Sequence, residues 1–142
     1  MKRQDVIDAL IERLEGILTT AGYNTDIGTN VQSMYELEID EETELPIVNV
    51  REGDSDVVNT FGPEWQHDCP VEINICMEGT IEEIRLAADD VLKAIGYDKT
   101  LDGLCVDIIP GGIQVRKAER GESYAEAQVN VTLQYLSDEW EV

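Results

Sequence analysis

From Ala125 to Tyr135 every second residue is apolar: Ala125, Ala127, Val129, Val131, Leu133 and Tyr135 alternate with Glu126, Gln128, Asn130, Thr132 and Gln134. Successive side chains of a strand point to opposite faces, so this segment is a strand with one face to bury and one polar face. A second segment does the same, with His67, Cys69, Val71, Ile73, Ile75 and Met77 set against Asp68, Glu72 and Asn74. Two such strands call for a sheet that is covered on one side only, its polar side left for solvent or a neighbour.

The cover comes from two helical patterns. From Asp5 to Ala21 the residues Val6, Ile7, Leu10, Ile11, Leu14, Ile17 and Leu18 recur at steps of three and four, which places them on one helical stripe. Ile81, Ile84, Ala88, Val91, Leu92 and Ile95 form a second stripe, and Thr80 with Glu83 has the spacing of a capping box at its start. Gly22 and Gly96 each follow a last periodic residue, which predicts that both close their helices by the left-handed conformation. Residues 25–34 predict a short strand, Leu45-Pro-Ile-Val-Asn-Val50 another, and 104–109 one more before the final strand at 125–136. Glu52-Gly-Asp-Ser-Asp56, Thr60-Phe-Gly-Pro63 and Pro110-Gly-Gly112 read as turns, the stretch from Arg116 to Glu122 as the tip of a long hairpin, and the last residues from Ser137 as a frayed tail. The expected fold is α+β: one domain over residues 1–142, with a mixed or antiparallel sheet and two main helices on one face.

Thirty-one acidic residues against ten basic ones give a net charge of -21, while a hydrophobic share of 42% suffices for a core, so the charge belongs on the surface. Such a surface repels polyanions and disfavours direct nucleic-acid binding and anionic membranes. The longest apolar runs, such as Leu104 to Pro110, are too short to span a bilayer, and the start of the chain has no apolar signal region, which predicts a soluble protein of the cytoplasm. Cys69, Cys76 and Cys105 match no metal or redox spacing and read as buried reduced thiols. Glu36, Glu38, Asp40, Glu41, Glu42 and Glu44 crowd six carboxylates into ten positions. Their spacing does not fit a calcium loop, so they read as a solvated loop that faces a partner or the opening of an assembly.

No catalytic constellation emerges. His67 is the single histidine, which rules out a histidine ligand cluster, and its neighbour Cys69 is explained as core by the strand alternation. The double glycine Gly111-Gly112 lacks the Lys-Ser or Lys-Thr of a phosphate cradle. The expectation is a protein that is no enzyme and carries neither cofactor nor metal.

The order of segments resembles the tail terminator family of long-tailed bacteriophages, also called minor tail protein U. The resemblance runs through the helix from Asp5 to Ala21, then Leu45-Pro-Ile-Val-Asn-Val50 and Trp65-Gln-His-Asp-Cys-Pro-Val-Glu-Ile-Asn-Ile75. It continues through Ile84-Arg-Leu-Ala-Ala-Asp-Asp-Val-Leu-Lys-Ala-Ile95, Leu101-Asp-Gly-Leu104, Ile108-Ile-Pro-Gly111 and Ala127-Gln-Val-Asn-Val-Thr-Leu-Gln-Tyr135. It implies a virion structural protein, assembled in the host cytoplasm, that caps the tail tube as a hexameric ring, stops its growth and offers the head a surface. The implied partners are copies of itself, the tail tube protein and a head completion or connector protein. Among acidic chains, the few cations Arg51, Arg85, Arg116, Lys117 and Arg120 are the candidates for contacts with a neighbour's carboxylates. The competing expectations are another neck or head-tail joining protein, and an acidic inhibitor that mimics DNA.

Overall fold

In the computed structural model, which describes residues 2–35, 39–40, 42–117 and 124–141, the two alternating segments become the longest strands, β4 (Glu64–Glu78) and β6 (Tyr124–Asp138). They pair antiparallel over all fifteen residues, from Glu64 opposite Asp138 to Glu78 opposite Tyr124. The odd-numbered residues of β6 from Ala125 to Ser137 are all buried, as the alternation requires.

The other strands flank this pair. β5 (Asp107–Lys117) lies antiparallel beside β6. On the far side of β4 sit β2 (Ile47–Glu52), opposite Val71 to Cys76, and β3 (Asp56–Phe61), opposite Glu64 to Asp68. β1 (Val31–Gln32) is parallel to β2, which makes the sheet mixed, with six strands among the described residues. The expected α+β class with a one-sided cover is what the chain adopts. α1 (Lys2–Glu15) and α2 (Ile81–Tyr97) bury Leu10, Leu14, Ile84 and Val91 against Val48, Ile73, Val129 and Leu133 in one core.

Several local expectations are corrected. Helix α1 ends at Glu15 instead of Ala21, because Gly16 weakens its continuation and Leu18 is already extended. A 3-10 turn at Thr19–Ala21 follows, and Gly22 closes that turn at φ 92° with its N–H on the Thr19 carbonyl. Gly96 instead lies inside α2, which ends at Tyr97 with an extended Asp98, so the two glycines do not share a role. Residues 25–34 hold a 3-10 turn at Ile27–Thr29 and only two strand residues. Gly28 is required there, since a Cβ would stand 2.6 Å from the Glu15 carbonyl oxygen. The stretch around 52–63, read as two turns, contains β3. Pro110-Gly-Gly112 is no turn but a bulge within β5, where an edge strand tolerates a residue without an N–H. The tail is held down: Ser137 is buried, the Glu139 amide donates to the Pro63 carbonyl, and Trp140 meets Trp65 edge-on at 4.6 Å.

Loops are fastened to the helices by carboxylates. Asp90 of α2, only 1% exposed, accepts from the backbone amide and the side chain of both Asn24 and Thr25 at 2.6–3.1 Å. Four donors satisfy a buried charge that would otherwise be costly. Asp98 is held at about 2, below the usual carboxylate range, by hydrogen bonds from Thr100 and the Asp102 amide. The Thr80 hydroxyl accepts from the Glu83 amide at 3.2 Å, which makes the N-cap half of the predicted capping box, while the Glu83 carboxylate lies 3.3 Å from the same hydroxyl.

Candidate functional site

The side of the sheet away from the helices is built in rows, and the register defines them. Asn49, Asn74, Gln128 and Gln114 form one row across β2, β4, β6 and β5. Arg51, Glu72 and Asn130 form the next, and Ile47, Cys76, Glu126 and Arg116 the one on the other side. Gln128 donates to Asn130 at 2.9 Å and Asn130 to the Gly112 carbonyl at 3.2 Å, so the amides are tied to one another and to the β5 bulge. The Arg116 Nε meets Glu126 at 2.5 Å. These three rows thus balance two arginines against two glutamates, on a chain of net charge -21.

Farther along the same face Glu64, Asp68 and Glu78 of β4 and Asp138 of β6 add negative charge, and more sits on the helices. Asp5, Asp8, Glu12 and Glu15 of α1, with Glu82, Glu83 and Asp89 of α2, are exposed on the outer sides of the helices. One periodicity therefore buries the apolar stripe against the sheet and carries the carboxylates away from the open face.

The chain after β1 crosses the edge of this face. Asn49, 3% exposed, donates to the Met34 carbonyl at 3.0 Å and accepts from the Met34 amide at 2.8 Å, so one side chain replaces a missing strand partner. Tyr35 follows, and the Arg51 guanidinium stands 5.0 Å from the centre of its ring. Two clefts of about 460 Å³ each open onto the face and share Tyr35, Arg51 and Glu72 in their walls.

The residues singled out by sequence do not gather at one place. Arg51 lies on the open face. Arg116 and Lys117 close β5 as strand residues, not as part of a hairpin tip, because the strand continues through its bulge. Arg120 lies outside the described residues, as do Glu36, Glu38 and Glu41. Arg85 is exposed on α2, on the opposite side of the molecule from the open face. Of the acidic run, Asp40, Glu42 and Glu44 are exposed, and Asp40 closes a small turn by accepting from the Glu42 amide at 2.9 Å and the Thr43 hydroxyl at 3.1 Å. Among the described residues no group of three or more His, Cys, Asp or Glu side chains is placed to hold a metal ion.

His67 and Cys69 both face the core. The His67 Nε2 is 2.7 Å from the Ser137 Oγ, and the ring stacks on Tyr135 with 4.8 Å between centroids. Ser137 passes its hydroxyl proton toward the Glu141 carbonyl at 2.8 Å, so the pair ties the chain end to β4. Burial, and secondarily Arg3, lowers the His67 pKa, and burial raises the Cys69 thiol and takes Cys105 to about 11. All three cysteines are buried. A neutral imidazole and protonated thiols are the forms that a dry core holds.

The fold defined by these elements is a mixed sheet with one helix-covered face and one amide-lined open face. It is similar to that of a chain in the "Virion of native gene transfer agent (GTA) particle", with a TM-score of 0.61 at 14% identity, over 90% of this chain and 92% of that one. No protein-family model matches the sequence, and no curated protein matches it. Among the described residues no helix is long and apolar enough to cross a membrane.

Proposed function

We propose that this chain is a structural protein of a phage-like virion, one that caps the end of a tail tube as a homo-oligomeric ring and presents a docking surface to the head. It acts by binding, without catalysis. The observation that carries this reading is the likeness of fold, over nine-tenths of both chains, to a component of a virion particle. The resemblance of segment order to tail terminators gives the finer assignment, including a hexameric ring, tube protein and head connector as partners, and assembly in the host cytoplasm.

The electrostatics of the open face support the reading. Association of chains with net charge -21 works against mutual repulsion, which is least where the surface is neutral. The charge-balanced rows around Asn49, Gln128 and Arg51 are such a surface, whereas the outer sides of α1 and α2 are not.

The test is assembly of tail tube protein in the presence and absence of the chain, viewed by electron microscopy. Short tubes closed at one end by a ring are expected. Tubes that grow to the same length with bare ends contradict the proposal, and a chain that binds heads but leaves isolated tubes bare is a neck component instead.

A further inference from the structure

The two outer strands of the sheet carry a pattern that the open face does not explain. All six residues of β3 are exposed, including Val57 at 47%, Val58 at 43% and Phe61 at 56%. β5, on the opposite border, exposes Ile109 at 41% and Ile113 at 44%. Among the described residues each of these strands pairs on one side only, β3 with β4 and β5 with β6. An exposed, apolar strand edge is a template for another strand, and a lone molecule usually blunts it with charge or proline. β5 is blunted at its bulge by Pro110, but from Ile113 to Lys117 its register is uninterrupted.

We propose that β3 of one copy pairs with residues Ile113 to Lys117 of β5 in the next copy, so that sheet edges join the subunits of the ring. The occupant of each edge is thus a second copy of this chain, and the inference rests on the ring reading above.

Direction, charge and apolar matching support one alignment. Three antiparallel steps separate β3 from β5, from β3 to β4 to β6 to β5, so the two border strands run in opposite directions. With the strands running along the ring axis, rotation about it keeps those directions, and the new pair is antiparallel. In that arrangement Asp56, the first residue of β3, lies at the end of β5 that carries Arg116. The apolar end of β3, Phe61, lies at the Ile113 end. Arg116 has a side chain 79% exposed despite its pairing with Glu126, which leaves it within reach of a neighbour. A contact between two different edges is heterologous, and such contacts form rings when the rotation closes. Closure also removes both edges.

The test exchanges charges across the contact in the full chain. Self-association is measured by light scattering across protein concentration, and thermal midpoints check that exposed substitutions leave the fold intact. Asp56→Arg alone and Arg116→Asp alone are each expected to weaken association by roughly tenfold or more. The chain carrying both exchanges regains association to within about threefold of the unmodified chain, since the contact between positions 56 and 116 of neighbouring copies then has its opposite charges restored, although the pairing with Glu126 is lost in both Arg116 variants. Hydrogen exchange is expected to slow on assembly at residues 56–61 and 113–117. Single exchanges within about twofold of the unmodified chain, with unprotected amides in an assembled ring, overturn the edge contact and leave the ring reading standing. Variants that assemble normally but no longer cap tubes give the edge to the tube protein and also overturn it. An unmodified chain that is monomeric even at tube ends removes the ring reading itself, and the edge contact with it.

Discussion

The two faces of the sheet are made from the same strands, yet different physics shapes them. On the covered face, Val48, Ile73, Val129 and Leu133 lie beneath Leu10, Ile84 and Val91, and stability comes from apolar area removed from water. On the open face the same strands present Asn49, Gln128 and Asn130, tied by hydrogen bonds to each other or to nearby backbone. Burying such amides stabilises little on its own, because protein hydrogen bonds replace water hydrogen bonds at small net gain. The first face builds the molecule, and the central rows of the second are charge-balanced, so that another molecule can cover them at low electrostatic cost.

If this division holds, substitutions should grade from one face to the other. The largest effect is expected at Leu133→Ala or Leu10→Ala, each about 2–5 kcal/mol of stability by chemical unfolding, because both sites are fully buried. Asp90→Ala comes next at about 2–4 kcal/mol, since it leaves the donors of Asn24 and Thr25 without their acceptor. Asn49→Ala should cost about 1–2 kcal/mol, as the one open-face amide that is buried and bonded twice to Met34.

Protonation of His67 sharpens the same contrast from the covered side. Its pKa is lowered in the folded chain from the ordinary value of 6.5, so the unfolded chain takes up the proton first. Stability is full above pH 6.5 and is lost as pH falls from there through the lowered value. Unfolding midpoints measured from pH 8 to pH 5 should show this slope, and His67→Gln should reduce it. The smallest effect belongs to Gln128→Ala on the open face, within about 0.5 kcal/mol for the monomer, with any larger change confined to assembly. A loss of several kcal/mol there would mean that the two faces do not differ as described.

The covered face was legible from sequence because its signal is long. Eleven residues of strict alternation at 125–135 admit one reading, and Thr80 with Glu83 marks a helix start by local chemistry. Signals that depend on distant partners were not legible. β3 is bracketed by Glu52-Gly-Asp-Ser-Asp56 and Thr60-Phe-Gly-Pro63, two turn signals so close that only pairing with β4 reveals a strand between them. Pro110-Gly-Gly112 looks like a turn for the same reason, and the pairing of Ile113 with Val129 shows it to be a bulge. Arg116 and Lys117 thereby move from a loop to the border of the sheet. The sequence marked the open face as polar, but its balance of Arg51 and Arg116 against Glu72 and Glu126 depends on register.

Both faces serve one account, in which helices complete the monomer and the exposed parts of the sheet complete an assembly. Sedimentation equilibrium of the unmodified chain, over a wide range of concentration at low and high salt, tests it most directly. The account predicts a mass that rises to a fixed multiple of 15.9 kDa and stops there, with high salt favouring assembly by screening the net charge of -21. A mass of 15.9 kDa at every concentration and salt, unchanged by added tube ends, would contradict it.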